Sequence, residues 1–221
     1  MESTITIFGA HLSPPCRAVW YTAAIGGVEL EQVLTSVIDK PAELLELNPL
    51  GQIPTIKEGD FSLSQGNAIC KYLNSSRKLG LAPDDAAGRA KMEQYLDWAI
   101  TDFGRAMGGV LGAEFFWKVF GKPEPTPEEK TLRWRDLNKQ LDFLDGFLDG
   151  RQWLVGDEMT LADIRAYTCC SQLKIMSFPF ESANWGNIHP WFKTFESNDA
   201  IKDVNDKAVA FFKQLRMQLA V

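Results

Sequence analysis

The chain has 221 residues, room for one large domain or two small ones. Hydrophobic residues make up 45% and charged residues 24%, with 14 Phe and 7 Trp, so the core needs neither a disulfide nor a metal staple. A net charge of −6 with no basic stripe argues against a nucleic-acid binder, and no uninterrupted apolar run of about 18 residues offers a membrane span.

The opening segment, MESTITIFGAHLSPP, lacks the basic start and the long apolar stretch of a secretory leader, which predicts a cytoplasmic protein. The four cysteines, Cys16, Cys70, Cys169 and Cys170, form no C-x-x-C pair, and only His11 and His189 could join them. The common zinc spacings are excluded, and little is left for a Cys–His or Ser–His–Asp machine. Cys70, Cys169 and Cys170 read as small buried hydrophobes.

In chain order, residues 4–8 are short, apolar and β-branched and stop at Gly9, which predicts a strand. Residues 15–25 predict a helix that starts on proline and ends at Gly26–Gly27. A second strand is predicted at 32–37 and a short helix at 41–47. Two short strands, 54–57 and 61–64, flank the hairpin-type turn Glu58–Gly59–Asp60, and a helix follows at 66–78. The first crossover requires a parallel pair and the Gly59 turn an antiparallel one, so the expected unit is a mixed four-stranded sheet of order βαβαββα. LGLAPDDAAG (79–88) is a linker by composition.

Beyond it the strand signals vanish. Met92, Leu96, Ala99, Phe103, Ala106 and Val110 recur at three or four, which predicts a long helix broken by GKPEPTPEE (121–129). Further helices are predicted over 134–148, 160–175, 190–196 and 204–219. Thr160-Leu-Ala-Asp163 has the form of a capping box, with Met159 and Ile164 at the staple positions, so Asp163 reads as a helix nucleator before it reads as a catalytic carboxylate.

Four stretches, LSPPCRAVW (12–20), NPLGQIPTIKEGDFSLSQGNAICKYL (48–73), the linker and LVGDEMTLADIRAY (154–167), resemble the cytosolic glutathione transferases. The resemblance implies a thioredoxin-like domain at 1–79, a linker at 80–88 and an all-helical domain at 89–221. It also implies glutathione as co-substrate with no separate cofactor or metal, a small hydrophobic electrophile as second substrate, and a homodimer. A cis bond at Ile53–Pro54 would present the Ile53 backbone to the cysteinyl part of glutathione, in the manner of a strand edge. The helix start at Gln65–Gly66 would receive the γ-glutamyl carboxylate. Gly66 departs from the family's Ser or Thr. One lost hydrogen bond nets about 0.5–1.5 kcal/mol, so binding is expected to weaken by no more than about tenfold. Gln52 and Lys40 would face the glycine end, although Lys40 is equally readable as a solvated surface charge.

The tyrosine-type members carry a hydroxyl at the end of the first strand, where this chain has Phe8. The serine-type members, the theta, delta and epsilon classes, use a serine at the start of the first helix, and Ser13 matches it. Ser13 precedes Pro14–Pro15, which favours the extended conformation of an N-cap. Its hydroxyl is expected to accept from the Cys16 amide and to donate to the glutathione thiolate, lowering the thiol pKa from its usual value of about 8.5. Cys16 stands where a thioredoxin-like reductase has its resolving cysteine, with no attacking partner. Arg17 reads as structural, paired with a carboxylate. Leu12, Phe103, Met107, Val110 and Phe116 are the expected lining of the second-substrate pocket. Two rival readings share the fold: a transferase-like interaction module without activity, and a glutathione-dependent peroxidase or isomerase.

Overall fold

The computed structural model describes residues 4–35 and 40–219. Four strands, β1 (Ile5–Gly9), β2 (Leu30–Leu34), β3 (Thr55–Glu58) and β4 (Phe61–Ser64), form one sheet in the order β2-β1-β3-β4. β1 runs parallel to β2, with Ile5 opposite Leu30, and antiparallel to β3, while β3 and β4 close an antiparallel hairpin. This is the expected mixed sheet. β2 begins earlier than the apolar pattern suggested, because pairing with Ile5 recruits Leu30 and Glu31. The end of that predicted strand, at 36–37, lies outside the described residues.

Helices α1 (Pro14–Ile25), α2 (Ala42–Leu47) and α3 (Gly66–Arg77) complete the first unit. α1 starts on two prolines, whose missing N–H groups cost nothing at a helix start. All its residues from Cys16 to Ala23 are buried, because the helix lies between the sheet and the helical half. The connection after α3 is anchored at both ends. Leu81 is buried, its N–H donates to Asn74 Oδ1 at 2.8 Å, and its carbonyl accepts from Leu161 N at 2.9 Å. Helix α4 (Ala86–Trp98) starts inside the stretch read as linker, because Asp85 caps it by accepting from Gly88 N at 2.8 Å.

The predicted long helix is interrupted. α4 passes through a π-turn, Ala99–Gly104, into α5 (Arg105–Leu111). A second π-turn, Gly112–Phe116, leads into α6 (Trp117–Val119). The first turn needs a glycine: a Cβ on Gly104 would lie 2.8 Å from the Ala99 carbonyl oxygen. Helix α7 (Pro127–Phe147) begins before its apolar pattern because Thr126 and Glu129 form a reciprocal box, with N–H to side-chain oxygen distances of 3.2 and 2.8 Å.

Helix α8 (Leu161–Ile175) is buried along almost its whole length and forms the axis of the second domain. Asp163, fully buried, accepts from Thr160 N (3.0 Å), Thr160 Oγ1 (3.0 Å), Leu154 N (2.9 Å) and Trp191 Nε1 (3.1 Å). One carboxylate thus ties the helix start to the preceding loop and to α9 (Ile188–Glu196). Asp145 on α7 caps α9 from outside by accepting from the Asn187 and Ile188 amides at 2.9 Å. The last helix, α10 (Asp199–Gln218), opens five residues before its apolar pattern because Asn198 accepts from Ala200 N and Ile201 N. Among the described residues no helix is long and apolar enough to cross a membrane.

Replacing Asp163 by alanine strands three buried N–H donors, so Asp163→Ala is expected to cost about 3–4 kcal/mol. Urea denaturation should show a lower midpoint at an unchanged slope. A loss below about 1 kcal/mol would remove Asp163 from this role.

Candidate functional site

Two cavities flank the start of α1. The first, about 330 Å³, is lined by Pro15, Gly51, Lys40, Gln52, Ile53 and Pro54, and on its far side by Gln65 and Gly66. The structure therefore brings together all six residues expected to contact glutathione.

Buried polar side chains shape this groove. Asn48 lies under the loop that follows α2, and its Nδ2 donates to the Gln52 carbonyl (3.1 Å) and to Thr55 Oγ1 (3.2 Å). Thr55 Oγ1 donates to the same carbonyl at 2.8 Å, and Asn48 Oδ1 accepts from Leu50 N at 3.2 Å. The loop then enters β3 through a cis Ile53–Pro54 bond. Opposite it, Gln65 adopts φ 76°, a left-handed conformation that is uncommon outside glycine, and its Nε2 donates to Gln52 Oε1 at 3.1 Å across the groove. The first N–H groups of α3 have no intrahelical acceptor and face this end as a partial positive charge. Sequence reasoning missed Asn48 and Thr55. A short polar pair bracketing Gln52–Pro54 was the available signal.

Gly66 has a steric reason. A Cβ there would lie 3.0 Å from the Pro15 carbonyl oxygen and 3.2 Å from Pro15 Cβ. Helices α1 and α3 meet at this point, and the family's serine or threonine would push against the main chain that carries the site.

Ser13 is the N-cap of α1, with φ −77° and ψ 114°. Its N–H donates to the Ala10 carbonyl (2.9 Å), and its own carbonyl accepts from Arg17 N (3.0 Å). The expected side-chain cap on the Cys16 amide does not form. The hydroxyl instead neighbours the Cys16 thiol, which lies fully buried behind it. Burial holds that thiol above its ordinary value, against the opposing effects of Ser13, the Ala10 backbone and the Arg17 charge. Burial also raises Cys169 and Cys170, and it pushes Cys70 up to about 11. No protein thiol is therefore a ready nucleophile. Phe8, at the tyrosine-type position, is buried in the sheet and has no hydroxyl to offer.

Arg17 is corrected. It is fully buried, yet among the described residues it bonds no carboxylate: Nη1 donates to the His11 carbonyl (3.1 Å), Nε to Tyr21 Oη (3.3 Å) and Nη2 to the Thr168 carbonyl (3.5 Å). Tyr21 in turn donates to Asn205 Oδ1 on α10 and lies 3.3 Å from Ser171 Oγ on α8. Asn205 Nδ2 donates to Tyr167 Oη at 2.9 Å. This network joins the first helix to the second domain directly behind Ser13.

The second cavity, about 570 Å³ and almost wholly apolar, starts at Ser13. Leu12 and Phe116 line it. Phe103, Met107 and Val110 do not: they are buried in the interior, Phe103 with its ring stacked on Trp98 at 5.2 Å. The reason is general. Apolar spacing at three and four marks the face turned to the core, and the cavity lies one π-turn further along. The walls that sequence reasoning missed come from Leu34 and Thr35 after β2, from Val119 and Phe120, and from Phe211 and Leu215 on α10. Among the described residues, no cluster of three His, Cys, Asp or Glu side chains is arranged to hold a metal ion.

Two family models match the chain, the glutathione S-transferase N-terminal domain over residues 7–79 and the C-terminal domain over residues 111–199. Human glutathione S-transferase theta-2B is 34% identical over 171 residues, 73% of this chain and 68% of that protein. Human theta-1 is 32% identical over 164 residues, 71% of this chain and 68% of that one. Among solved structures, a delta-class glutathione transferase from Nilaparvata lugens superposes with a TM-score of 0.82 at 26% identity, covering 97% of this chain and 99% of that one. Human glutathione-S-transferase T1-1 superposes at 0.84, with 24% identity and coverage of 95% and 91%, which extends the likeness of fold.

The burial of all four thiols sets a test. Native protein at pH 8 is expected to react with Ellman's reagent only slowly, and all four cysteines should titrate once it is unfolded. Fast titration of one thiol in the folded protein that is lost in Cys16→Ala would mean that Cys16 is reachable.

Proposed function

Because the chain belongs to the glutathione S-transferase family and is a glutathione transferase, we propose that Ser13 holds the glutathione thiolate while it attacks an apolar electrophile in the cavity beside it. The supporting observation is the state of the Ser13 side chain. It sits at a helix start on the apolar cavity, two residues before Pro15 on the groove, and its hydroxyl is not used to cap the helix. It can therefore donate to a ligand's sulfur.

The tripeptide would lie along the 330 Å³ groove. Its γ-glutamyl carboxylate would meet the N–H groups at the start of α3, with Gln65 beside it. The cysteinyl part would pair with the Ile53 backbone next to Pro54. Lys40 and Gln52 would take the glycine carboxylate. The sulfur would then reach Ser13, where the hydroxyl and the positive end of α1 favour the anion. The protein adds proximity and thiolate stabilisation rather than acid–base work of its own. The same reading includes a homodimer, a cytoplasmic setting, no separate cofactor, and the division 1–79, 80–88 and 89–221.

Ser13→Ala is expected to lower kcat/KM by about 10²-fold without lowering the thermal midpoint. Removing a donor to the anion raises the bound thiol's pKa, so the rising limb of the pH–rate profile should move to higher pH. An unchanged profile would overturn the role of Ser13, and a loss in Cys16→Ala instead would transfer it to Cys16.

Gly66→Ser adds the family's hydroxyl and also pushes Pro15. Retention on immobilised glutathione is expected to fall, because shifting the main chain next to Ser13 outweighs one hydrogen bond of about 0.5–1.5 kcal/mol. Tighter retention would show that α1 yields freely at this contact.

A further inference from the structure

His11 forms part of the wall of both the apolar cavity beside Ser13 and a smaller cavity of about 180 Å³ between α1, β2 and α10. Among the described residues it is the only titratable side chain on the apolar cavity, where Ser13 and Thr35 supply the other polar groups. Its position is fixed. The ring packs 5.0 Å from the Trp20 ring and meets Phe211 edge-on at 6.2 Å, and Arg17 holds its carbonyl.

Among the described residues, the buried ring nitrogens His11 Nδ1 and Trp20 Nε1 have no hydrogen-bond partner, and both residues line the smaller cavity. Trp20 Nε1 can only donate. His11 Nδ1 is closed off and unpartnered, whereas Nε2 is not among the closed-off nitrogens, so Nε2 is the nitrogen open to a ligand and carries the imidazole proton. Burial and the neighbouring Lys207 and Arg17 charges lower the His11 pKa, and Asp203 is the acidic side chain on the smaller cavity. The ring therefore stands as a neutral donor at pH 7.

From this placement we propose that His11 is a specificity-determining donor for the second substrate, its Nε2–H paired with the carbonyl oxygen of an electrophile whose reacting carbon is conjugated to that carbonyl. The inference rests on the reading of this cavity as the electrophile pocket. The glutathione thiol first loses its proton to solvent. The thiolate then forms the carbon–sulfur bond at the β-carbon, and the carbon–carbon π pair moves toward oxygen. The enolate oxygen accepts from His11 Nε2–H, and water returns a proton to the α-carbon. A donor aimed at developing charge in an apolar cavity acts most strongly in the transition state. A haloalkane leaves that donor unpaired, and a site built around a hydrogen bond discriminates against the analogue that lacks it.

The test compares trans-2-hexenal with 1-iodohexane as electrophiles, in wild type and in His11→Phe, His11→Leu and His11→Gln. The ratio of kcat/KM for the enal to that for the iodide is expected to fall about 10²-fold in both donor-less variants. His11→Gln, which keeps an N–H, should recover about tenfold of it. An unchanged ratio, with absolute rates falling together or not at all, overturns the inference while the transferase reading stands. So does a wild type that turns over the iodide and not the enal. A wild type inactive on both electrophiles overturns the proposed function and this inference with it.

Discussion

The buried guanidinium of Arg17 is the constraint on which the site's geometry depends. Taking a cation out of water costs several kcal/mol unless its donors are met. Among the described residues no carboxylate meets them. The acceptors are the His11 carbonyl, the Tyr21 hydroxyl and the Thr168 carbonyl. One of these lies on the loop that leads to Ser13, one on α1 itself and one on α8. The charge is satisfied only when the loop, the first helix and the second domain hold their places together. Tyr21, Asn205, Ser171 and Tyr167 extend the same requirement to α10. The position of Ser13 is thus a property of the domain junction, although its neighbours in sequence are local.

The two cavities follow from that arrangement. The groove forms where the start of α1 approaches the start of α3, and Gly66 allows the approach because it has no Cβ to meet Pro15. The apolar cavity forms on the other side of Ser13, under walls from α10 and from the π-turn ahead of α6. One side offers backbone amides and amide side chains, the other hydrocarbon. A polar surface and an apolar one thereby meet at the start of α1.

What could be read in advance was what is local. Pro14–Pro15 after Ser13, Ile53–Pro54 before a strand and Gln65–Gly66 at a helix start each have a short-range physical meaning, and each stands on the groove. Helix starts set by a side-chain cap were legible only where the capping pair was recognised. Thr160 and Asp163 were seen, whereas Asp85, Thr126, Asn198 and the remote Asp145 were not, and α4, α7, α9 and α10 accordingly begin earlier than their apolar patterns. The apolar cavity was the least legible part. Its walls come from four separated segments, and the periodicity that located Phe103, Met107 and Val110 reports burial, which is the opposite of lining a cavity. Arg17 shows the same limit. An arginine in a helix suggests an acidic partner, but its acceptors are main-chain carbonyls and a tyrosine, which no sequence pattern announces.

The Cys16 thiol and the thiol of glutathione differ in what surrounds them. Cys16 lies at the same helix start as Ser13, beside the same hydroxyl and near the same arginine, and its thiol is still raised. Desolvation decides it: the sulfur is fully buried, and a thiolate there would lose its water. On the proposed reading, a sulfur brought in by glutathione through the open groove would meet Ser13 and the helix dipole without the full cost of burial, so the same surroundings would shift it downward. With the nucleophile on the substrate and the supporting hydroxyl on the protein, that reading would have one helix terminus silence its own cysteine and activate another.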